Sequence, residues 1–160
     1  MPKPLTITTP GDRDIVVVRQ FDAPRDLVFL CYSRPELLRR WYGMPDWTTF
    51  VCDIDFRVGG KYRIGQRSPD GYELARQGVY TVIVEPERID QTEYYDDDWT
   101  KGGSVNSLIF TEKDGRTTTT LTVTYSSPEA RAAAVATPMA DGMEIGFKRL
   151  DAVLAQEQQN

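Results

Sequence analysis

A pair of glycines, Gly59-Gly60, constrains the fold of this chain more than any other feature of its sequence. The pair interrupts a β pattern, which resumes over residues 61–64 with alternating side chains. Glycines inside a strand pattern mark a bulge, a sharp bend or a close approach of another backbone. We therefore predict a β-sheet that bends at this point and curls around the element that packs on its inner face.

The length and charge of the chain limit its organisation and its partners. A chain of 160 residues predicts one domain. We assign residues 13–158 to this domain and residues 1–12, which contain three prolines, to a flexible N-terminal arm. The net charge of −5, from 19 basic and 24 acidic side chains, argues against a nucleic-acid partner, because phosphate binding requires a basic face.

Residue usage excludes several kinds of chemistry. The chain contains no histidine, which excludes Ser-His-Asp and Cys-His catalysis and the HExxH zinc site. Cys31 and Cys52 are too few for a disulfide framework or a zinc site, and we predict that both are small buried hydrophobes. We expect no cofactor and no metal. The chain has neither a secretory signal nor an apolar run near the ~20 residues of a membrane span, so we expect a cytoplasmic protein.

The order of predicted elements indicates an α+β fold. A β-branched strand over residues 15–21 is followed by two short helices, the second beginning at a capping box, Ser33-Arg34-Pro35-Glu36. About six more strands follow, the last two joined by the hairpin turn Asp114-Gly115. A helix over residues 139–158 then places its apolar residues on one face. We predict a curved antiparallel sheet of about seven strands wrapped around this long C-terminal helix.

Seven segments of the chain together form a recognisable pattern over residues 14–155. The segments are Phe21-Asp22-Ala23-Pro24 with Val28-Phe29, Pro35-Glu36-Leu37-Leu38 with Trp41, Asp55-Phe56-Arg57-Val58-Gly59-Gly60-Lys61-Tyr62, Pro69-Asp70-Gly71, Gly78-Val79-Tyr80, Pro86-Glu87-Arg88-Ile89, and Gly142-Met143 with Phe147 and Leu150. In their joint order they resemble the START-like, or SRPBCC, superfamily, which has the helix-grip fold of the birch pollen allergen. More narrowly, the chain resembles the stand-alone bacterial form of the family named for the activator of heat-shock-protein-90 ATPase, and it departs from that family's pattern at Val58, where Pro is usual, and at Phe147, where Trp is frequent.

The superfamily resemblance implies a cavity between the sheet and the C-terminal helix that binds a hydrophobic or amphipathic small molecule. Met143 and Phe147 are the candidates for its helical wall, although apolar stripes at this spacing also form plain core. Gly142 and Gly146 indicate either room for a ligand or close contact of the helix with a strand. The remaining lining candidates, on the sheet and at the rim, are Trp41, Tyr62, Ile64, Tyr80, Tyr94 and Phe110.

Three charged residues on the strands are candidates for polar groups inside the cavity. Strand alternation alone selects Arg63, Arg76 and Glu93, although charged strand residues usually face solvent. Two other functions stay open at this point. One is an enzyme of the cyclase or dehydratase kind that uses Tyr, Arg, Asp or Glu of the cavity, and the other is a co-chaperone-like interaction module with a chaperone partner. A homodimer is a further open alternative.

Overall fold

The structure, a computed structural model, describes residues 5–97 and 102–159. Within these residues the chain forms eight strands and four helices. The strands are β1 (Thr6–Thr8), β2 (Asp14–Phe21), β3 (Thr48–Ile54), β4 (Lys61–Arg67), β5 (Glu73–Val84), β6 (Arg88–Tyr95), β7 (Ser104–Lys113) and β8 (Arg116–Tyr125). The helices are α1 (Arg25–Ser33), α2 (Pro35–Leu38), α3 (Pro128–Val135) and α4 (Met139–Gln159).

The strands form one antiparallel sheet in the order β1-β2-β8-β7-β6-β5-β4-β3. Burial alternates along β2, so that every second side chain faces the core. The buried face of α4, which includes Phe147, Leu150 and Leu154, packs into the same core as the inner face of the sheet. This confirms the predicted helix-grip architecture, with eight strands in place of about seven.

The additional strand, β1, comes from the segment that the sequence predicts to be a flexible arm. Thr6–Thr8 pairs with β2 in register, Ile7 opposite Val17, and Ile7 packs against the core. The prediction of a flexible arm is therefore wrong for residues 6–8, which pair with the edge of β2 and are flanked by further contacts: Leu5 also packs against the core, and Arg131 donates to the carbonyls of Thr9 and Gly11. Residues 1–4 lie outside the described residues.

The glycine pair lies in the turn between β3 and β4, and not inside a strand. Gly59 has φ +85°, which favours glycine. Its N–H donates to the carbonyl of Tyr80 at 2.8 Å, and Tyr80 N–H donates to the carbonyl of Gly60 at 3.0 Å. A Cβ on Gly60 would lie 1.9 Å from the carbonyl oxygen of Asp55. Of the three roles predicted for the pair, the structure shows the close backbone approach, which fastens this turn to β5.

A second glycine, Gly78, shapes the inner face of the sheet. It pairs with Tyr62 of β4, and a Cβ at Gly78 would lie 1.9 Å from the carbonyl oxygen of Thr92 on β6. This oxygen accepts a hydrogen bond of 2.6 Å from the hydroxyl of Tyr62. Because Gly78 has no side chain, Tyr62 can reach over β5 and bond to the main chain of β6.

Side-chain capping is present at the start of α3 and absent at the start of α2. The predicted capping box at Ser33 is wrong, because Ser33 is the last residue of α1 and donates to the carbonyl of Leu30. The residue that precedes α2 is Arg34, whose side chain makes no capping bond. Ser127 does cap α3, since its Oγ accepts from the N–H of Ala130 at 3.1 Å.

A buried arginine fixes α4 against β2. Arg19 faces inward and donates to both carboxylate oxygens of Asp151, at 3.0 and 2.8 Å, and to Glu144 at 3.1 Å. Its guanidinium lies over the rings of Phe21 and Phe147, 5.0 and 5.9 Å from their centres. Burial lowers the pKa of Arg19, but the bonds to Asp151 and Glu144 outweigh burial and raise it. Arg19 is therefore a permanent cation that determines where α4 crosses the sheet.

We predict opposite effects of two glycine-to-alanine substitutions on stability. G78A places a methyl group against the main chain of Thr92 and should lower the free energy of unfolding by about 1–3 kcal/mol, as overpacking does. G142A, inside α4, meets no atom within 4 Å and should raise it by up to ~1 kcal/mol through helix propensity. Urea unfolding of both variants measures these changes. A G78A protein as stable as the parent would contradict the role assigned to Gly78.

Candidate ligand-binding site

Eight aromatic rings form a continuous series on the inner face of the sheet, which we call the aromatic circuit. Neighbouring rings in the series lie 4.9–6.5 Å apart between centres, and all but one pair meet edge to face. Each such contact contributes about 0.5–1.5 kcal/mol beyond the burial of area. In order, the circuit consists of Tyr42, Trp41, Tyr32, Phe110, Phe29, Phe56, Tyr80 and Tyr62.

A polar group lies between the two ends of the aromatic circuit. The guanidinium of Arg76, on β5, is 4.9 Å from the ring centre of Tyr42 and donates through Nη1 to the carboxylate of Glu93 on β6. The same carboxylate oxygen accepts from Asn106 Nδ2 at 3.1 Å, and Asn106 Oδ1 accepts from the hydroxyl of Ser104 at 3.0 Å. Strands β5 and β6 thus contribute one member each to a hydrogen-bonded row, and β7 contributes two.

Arg76 keeps its charge in this enclosed position. Burial lowers the pKa of Arg76, but its neighbours Tyr42, Glu93, Tyr62 and Tyr95 outweigh burial and raise the pKa well above the ordinary value. Its Nε is buried, and within the described ranges no atom accepts a hydrogen bond from it. Leaving a buried donor unpaired costs about 1–3 kcal/mol. The group therefore has unused hydrogen-bonding capacity on the inside of the protein.

Four side chains in the neighbourhood of this group are only partly buried. Tyr32, Tyr42, Tyr95 and Arg76 keep accessible surface, which for the side chain of Arg76 amounts to 20%. Tyr95 also lines an open cavity with Tyr94. Burial raises the pKa of the three tyrosines, so they stay protonated at neutral pH.

The segment that carries Trp41 and Tyr42 is held in place from two sides. From the sheet, Gln66 Nε2 donates to the carbonyl of Tyr42 at 2.9 Å, and Gln66 Oε1 accepts from the N–H of Met44 at 3.2 Å. From α4, Arg149 donates to the carbonyls of Tyr42 and Gly43 at 3.2 and 2.8 Å. These bonds fix the position of the Tyr42 ring beneath Arg76.

The structure places most of the predicted lining residues on the core side of the sheet. Ile64 is buried on β4. Phe147 is buried on α4 and packs edge to face on Phe21, and Met143 is half-buried against the core. The predicted residues that belong to the aromatic circuit are Trp41, Tyr62, Tyr80 and Phe110.

Two of the predicted residues face the other way. Tyr94 is 46% exposed, because its neighbour Glu93 takes the inward position on β6. The side chain of Arg63 is 39% exposed and pairs with Asp96 on the outer face, because Tyr62 takes the inward position on β4. The assignment of Tyr94 and Arg63 to the cavity is therefore wrong by one residue of strand alternation.

Several members of the site escape the sequence prediction. Tyr32 and Tyr42 lie outside the strands, where alternation gives no information about direction. Asn106 could have been found, because it alternates in phase with the inward Phe110. The same reasoning finds Arg19, which belongs to the core beside the site and lies in phase with the buried residues of β2.

Two open cavities lie away from the aromatic circuit. They measure about 260 and 190 Å³, beside Tyr94 and beside Ile7 respectively, and neither is lined by Arg76 or Phe147. Of the explanations for the helical glycines, close contact with a strand is not supported. A Cβ on Gly142 would meet nothing within 4 Å, and one on Gly146 would lie 3.8 Å from the carbonyl of Trp41.

The described part of the chain has neither a metal-binding cluster nor a membrane-spanning helix. Residues 5–97 and 102–159 contain no group of three or more acidic or cysteine side chains placed to hold a metal ion. Over the same residues, no helix has the length and apolar character needed to cross a membrane.

Comparison with known proteins identifies the family. A family model described as "Activator of Hsp90 ATPase homolog 1-like protein" matches residues 22–155. The chain belongs to this family. Membership suggests a ligand-binding fold. A search of curated proteins finds no match.

Solved structures of bacterial proteins share the whole fold of this family member. A crystal structure from Rhodobacter sphaeroides is 27% identical, with a TM-score of 0.90, and the match covers 96% of this chain and 99% of that one. A protein from Mycobacterium smegmatis is 26% identical, with a TM-score of 0.82 and coverage of 94% and 97%. A protein from Nitrosomonas europaea, at 19% identity and a TM-score of 0.83, covers 95% of this chain and 100% of its own and supports the fold alone.

We predict that the stability of this family member falls in alkaline solution, in part through Tyr80. Burial raises the pKa of Tyr80 to about 12, against an ordinary value near 10. Between these two pH values the folded state keeps a proton on Tyr80 that the unfolded state releases. The contribution of this proton to the free energy of unfolding is fully present below pH 10 and is lost as the pH rises through 12. The loss is about 2 kcal/mol per tyrosine of this kind at pH 12.

Urea unfolding between pH 9 and 12 measures this fall, and Y80F provides the comparison. Phenylalanine cannot ionise, so Y80F should lose less stability over this interval than the parent. Equal slopes for the two proteins would contradict the assignment to Tyr80.

Proposed function

We propose that this protein binds a hydrophobic or amphipathic small molecule between the inner face of its sheet and its helices, against the aromatic circuit. The observation that carries this proposal is the accessible surface that Tyr32, Tyr42 and Arg76 keep beside the aromatic circuit. A ligand of suitable size would bury this surface.

The composition of the site supports the same proposal. Small-molecule sites are mostly apolar and aromatic, with a few polar groups that orient the ligand. Here the aromatic circuit supplies the apolar wall, and the row of Arg76, Glu93 and Asn106 supplies the polar groups. The family's ligand-binding fold adds an independent argument.

We place this function in the cytoplasm. Cys31 and Cys52 are both free and buried, which is the usual state of cysteines in a reducing compartment. Burial also raises the pKa of the Cys31 thiol to about 11, so that it stays protonated and unreactive at neutral pH.

The fluorescent aromatic amine 1-aminoanthracene tests the proposed site, since it is uncharged and brightens in apolar surroundings. We expect saturable binding at one site per chain. Y42A removes the ring beneath Arg76 and should weaken binding about tenfold, which corresponds to 1.4 kcal/mol. Y94A removes a ring from the outer face and should leave binding unchanged.

Circular dichroism of both variants checks that they are folded. Absence of saturable binding to the parent protein would overturn the proposed function. Loss of binding in Y94A together with full binding in Y42A would move the site to the outer face and would also overturn it.

A further inference from the structure

The hairpin turn that joins β7 to β8 places an aspartate directly before a glycine, and this pair of residues has a chemistry of its own. The backbone nitrogen of the residue after an aspartate can attack the Cγ of the aspartate side chain and close a five-membered ring. Glycine hinders this attack least because it has no Cβ. The chain contains three such pairs, Asp70-Gly71, Asp114-Gly115 and Asp141-Gly142. Their surroundings in the fold determine which of them can react.

In two of the three pairs the attacking nitrogen is already engaged. The N–H of Gly71 donates to the carbonyl of Ser68 at 3.0 Å, and the N–H of Gly142 donates to the carbonyl of Pro138 at 3.2 Å in the first turn of α4. Asp70 Oδ1 also accepts from the hydroxyl of Ser68 at 3.3 Å. Ring closure at either pair therefore requires that a hydrogen bond of the folded chain is broken first.

The pair Asp114-Gly115 has no such restraint. Both residues are exposed and have left-handed backbones, with φ +55° and +76°, as a two-residue hairpin turn requires. Within residues 5–97 and 102–159, no group accepts from the N–H of Gly115 and none bonds to the carboxylate of Asp114. A Cβ on Gly115 would meet nothing within 4 Å. The nitrogen and the carboxyl group are thus adjacent, unhindered and in contact with water.

We propose that this turn is a site of spontaneous modification, at which Asp114 converts to isoaspartate. The nitrogen of Gly115 forms a bond to Cγ of the protonated Asp114 carboxyl group, whose hydroxyl leaves with the amide proton as one water molecule. A second water molecule then opens the cyclic imide. Its attack at Cγ restores aspartate, whereas its attack at the main-chain carbonyl carbon leaves the chain connected through Cγ, as isoaspartate.

The product differs from the parent only within the turn. Isoaspartate adds one CH₂ group to the main chain between Lys113 and Gly115 and leaves the former main-chain carboxyl group as an exposed carboxylate. Thr117, three residues further on, is buried, and its hydroxyl donates to the carbonyl of Ala23 at 2.7 Å, which fixes β8 beyond the turn. The exposed product is a substrate for methyltransferases that use S-adenosylmethionine to methylate isoaspartyl carboxylates.

Peptide mapping of the aged protein tests this proposal. The folded full chain is incubated at neutral pH and physiological temperature and cleaved after glutamate, and electron-transfer fragmentation then distinguishes isoaspartate from aspartate in each of the three pairs. We expect isoaspartate to form at Asp114 about tenfold faster than at Asp70 or Asp141, because 1.4 kcal/mol, about the net contribution of one hydrogen bond, corresponds to a factor of ten. In guanidinium chloride, which removes the fold, the three rates should become similar.

One variant and a matched control connect the reaction to the turn. D114E lengthens the side chain, so that the five-membered ring cannot close, and should abolish the isoaspartate signal at this position. D70E makes the same substitution in a turn whose N–H is bonded, and should leave the rate at Asp114 unchanged. Circular dichroism checks that both variants are folded.

Two results would overturn the proposal. One is a rate at Asp114 in the folded parent protein that is equal to or lower than the rate at Asp70 or Asp141. The other is a folded protein that forms no isoaspartate at Asp114 over a time in which the unfolded chain does form it.

Discussion

The ion pair between Arg19 and Asp151 is the interaction on which the rest of the inner architecture depends. It fixes the position of α4 on β2 through two parallel hydrogen bonds, a geometry that tolerates little rotation or sliding. Two residues before Asp151 on the same helix, Arg149 binds the carbonyls of Tyr42 and Gly43. The position of the Tyr42 ring beneath Arg76 on β5 therefore depends on a contact that α4 makes with a different strand, β2.

Two arginines inside one core require an explanation, because buried ion pairs rarely add net stability. Their desolvation costs about as much as their attraction returns, and they are weak grounds for inferring a stable fold. Arg19 and Arg76 instead restrict how the strands and the helix can be oriented relative to one another. Each guanidinium lies on aromatic rings and binds carboxylates at defined angles, so that few other arrangements of the same strands and helix can satisfy both.

The sequence is sufficient to predict the architecture because the signals for strands, turns and the last helix agree with one another. The hairpin at Asp114-Gly115 and the helix from Met139 are where the pattern places them. The sequence pattern lacks two kinds of information. The first is the direction of the side chains near the end of a strand, where alternation leaves two possible phases. For this reason the pattern predicts that Tyr94 and Arg63 face the cavity, although they lie on the outer face.

The second kind of missing information concerns residues outside the regular elements. Tyr42 enters the site because Gln66 and Arg149 bind its main chain, and both partners are distant in sequence. Patterns of neighbouring residues in the sequence cannot predict contacts over such separations. Arg19 is a different case, because its position in phase with the buried residues of β2 indicates the inward direction although charged strand residues generally face solvent.

Four of the hydrogen bonds that hold the segment around Tyr42 end on its main-chain atoms. Every amino acid except proline offers the same carbonyl and N–H groups, so these four bonds do not require particular side chains at residues 42 and 44, whereas Trp41 also holds the segment through its own side chain. Substitutions at residues 42 and 44 can thus alter the shape and polarity of the wall while Gln66 and Arg149 preserve the frame. The course of the wall and its chemical character are thus largely set by different atoms of the same segment.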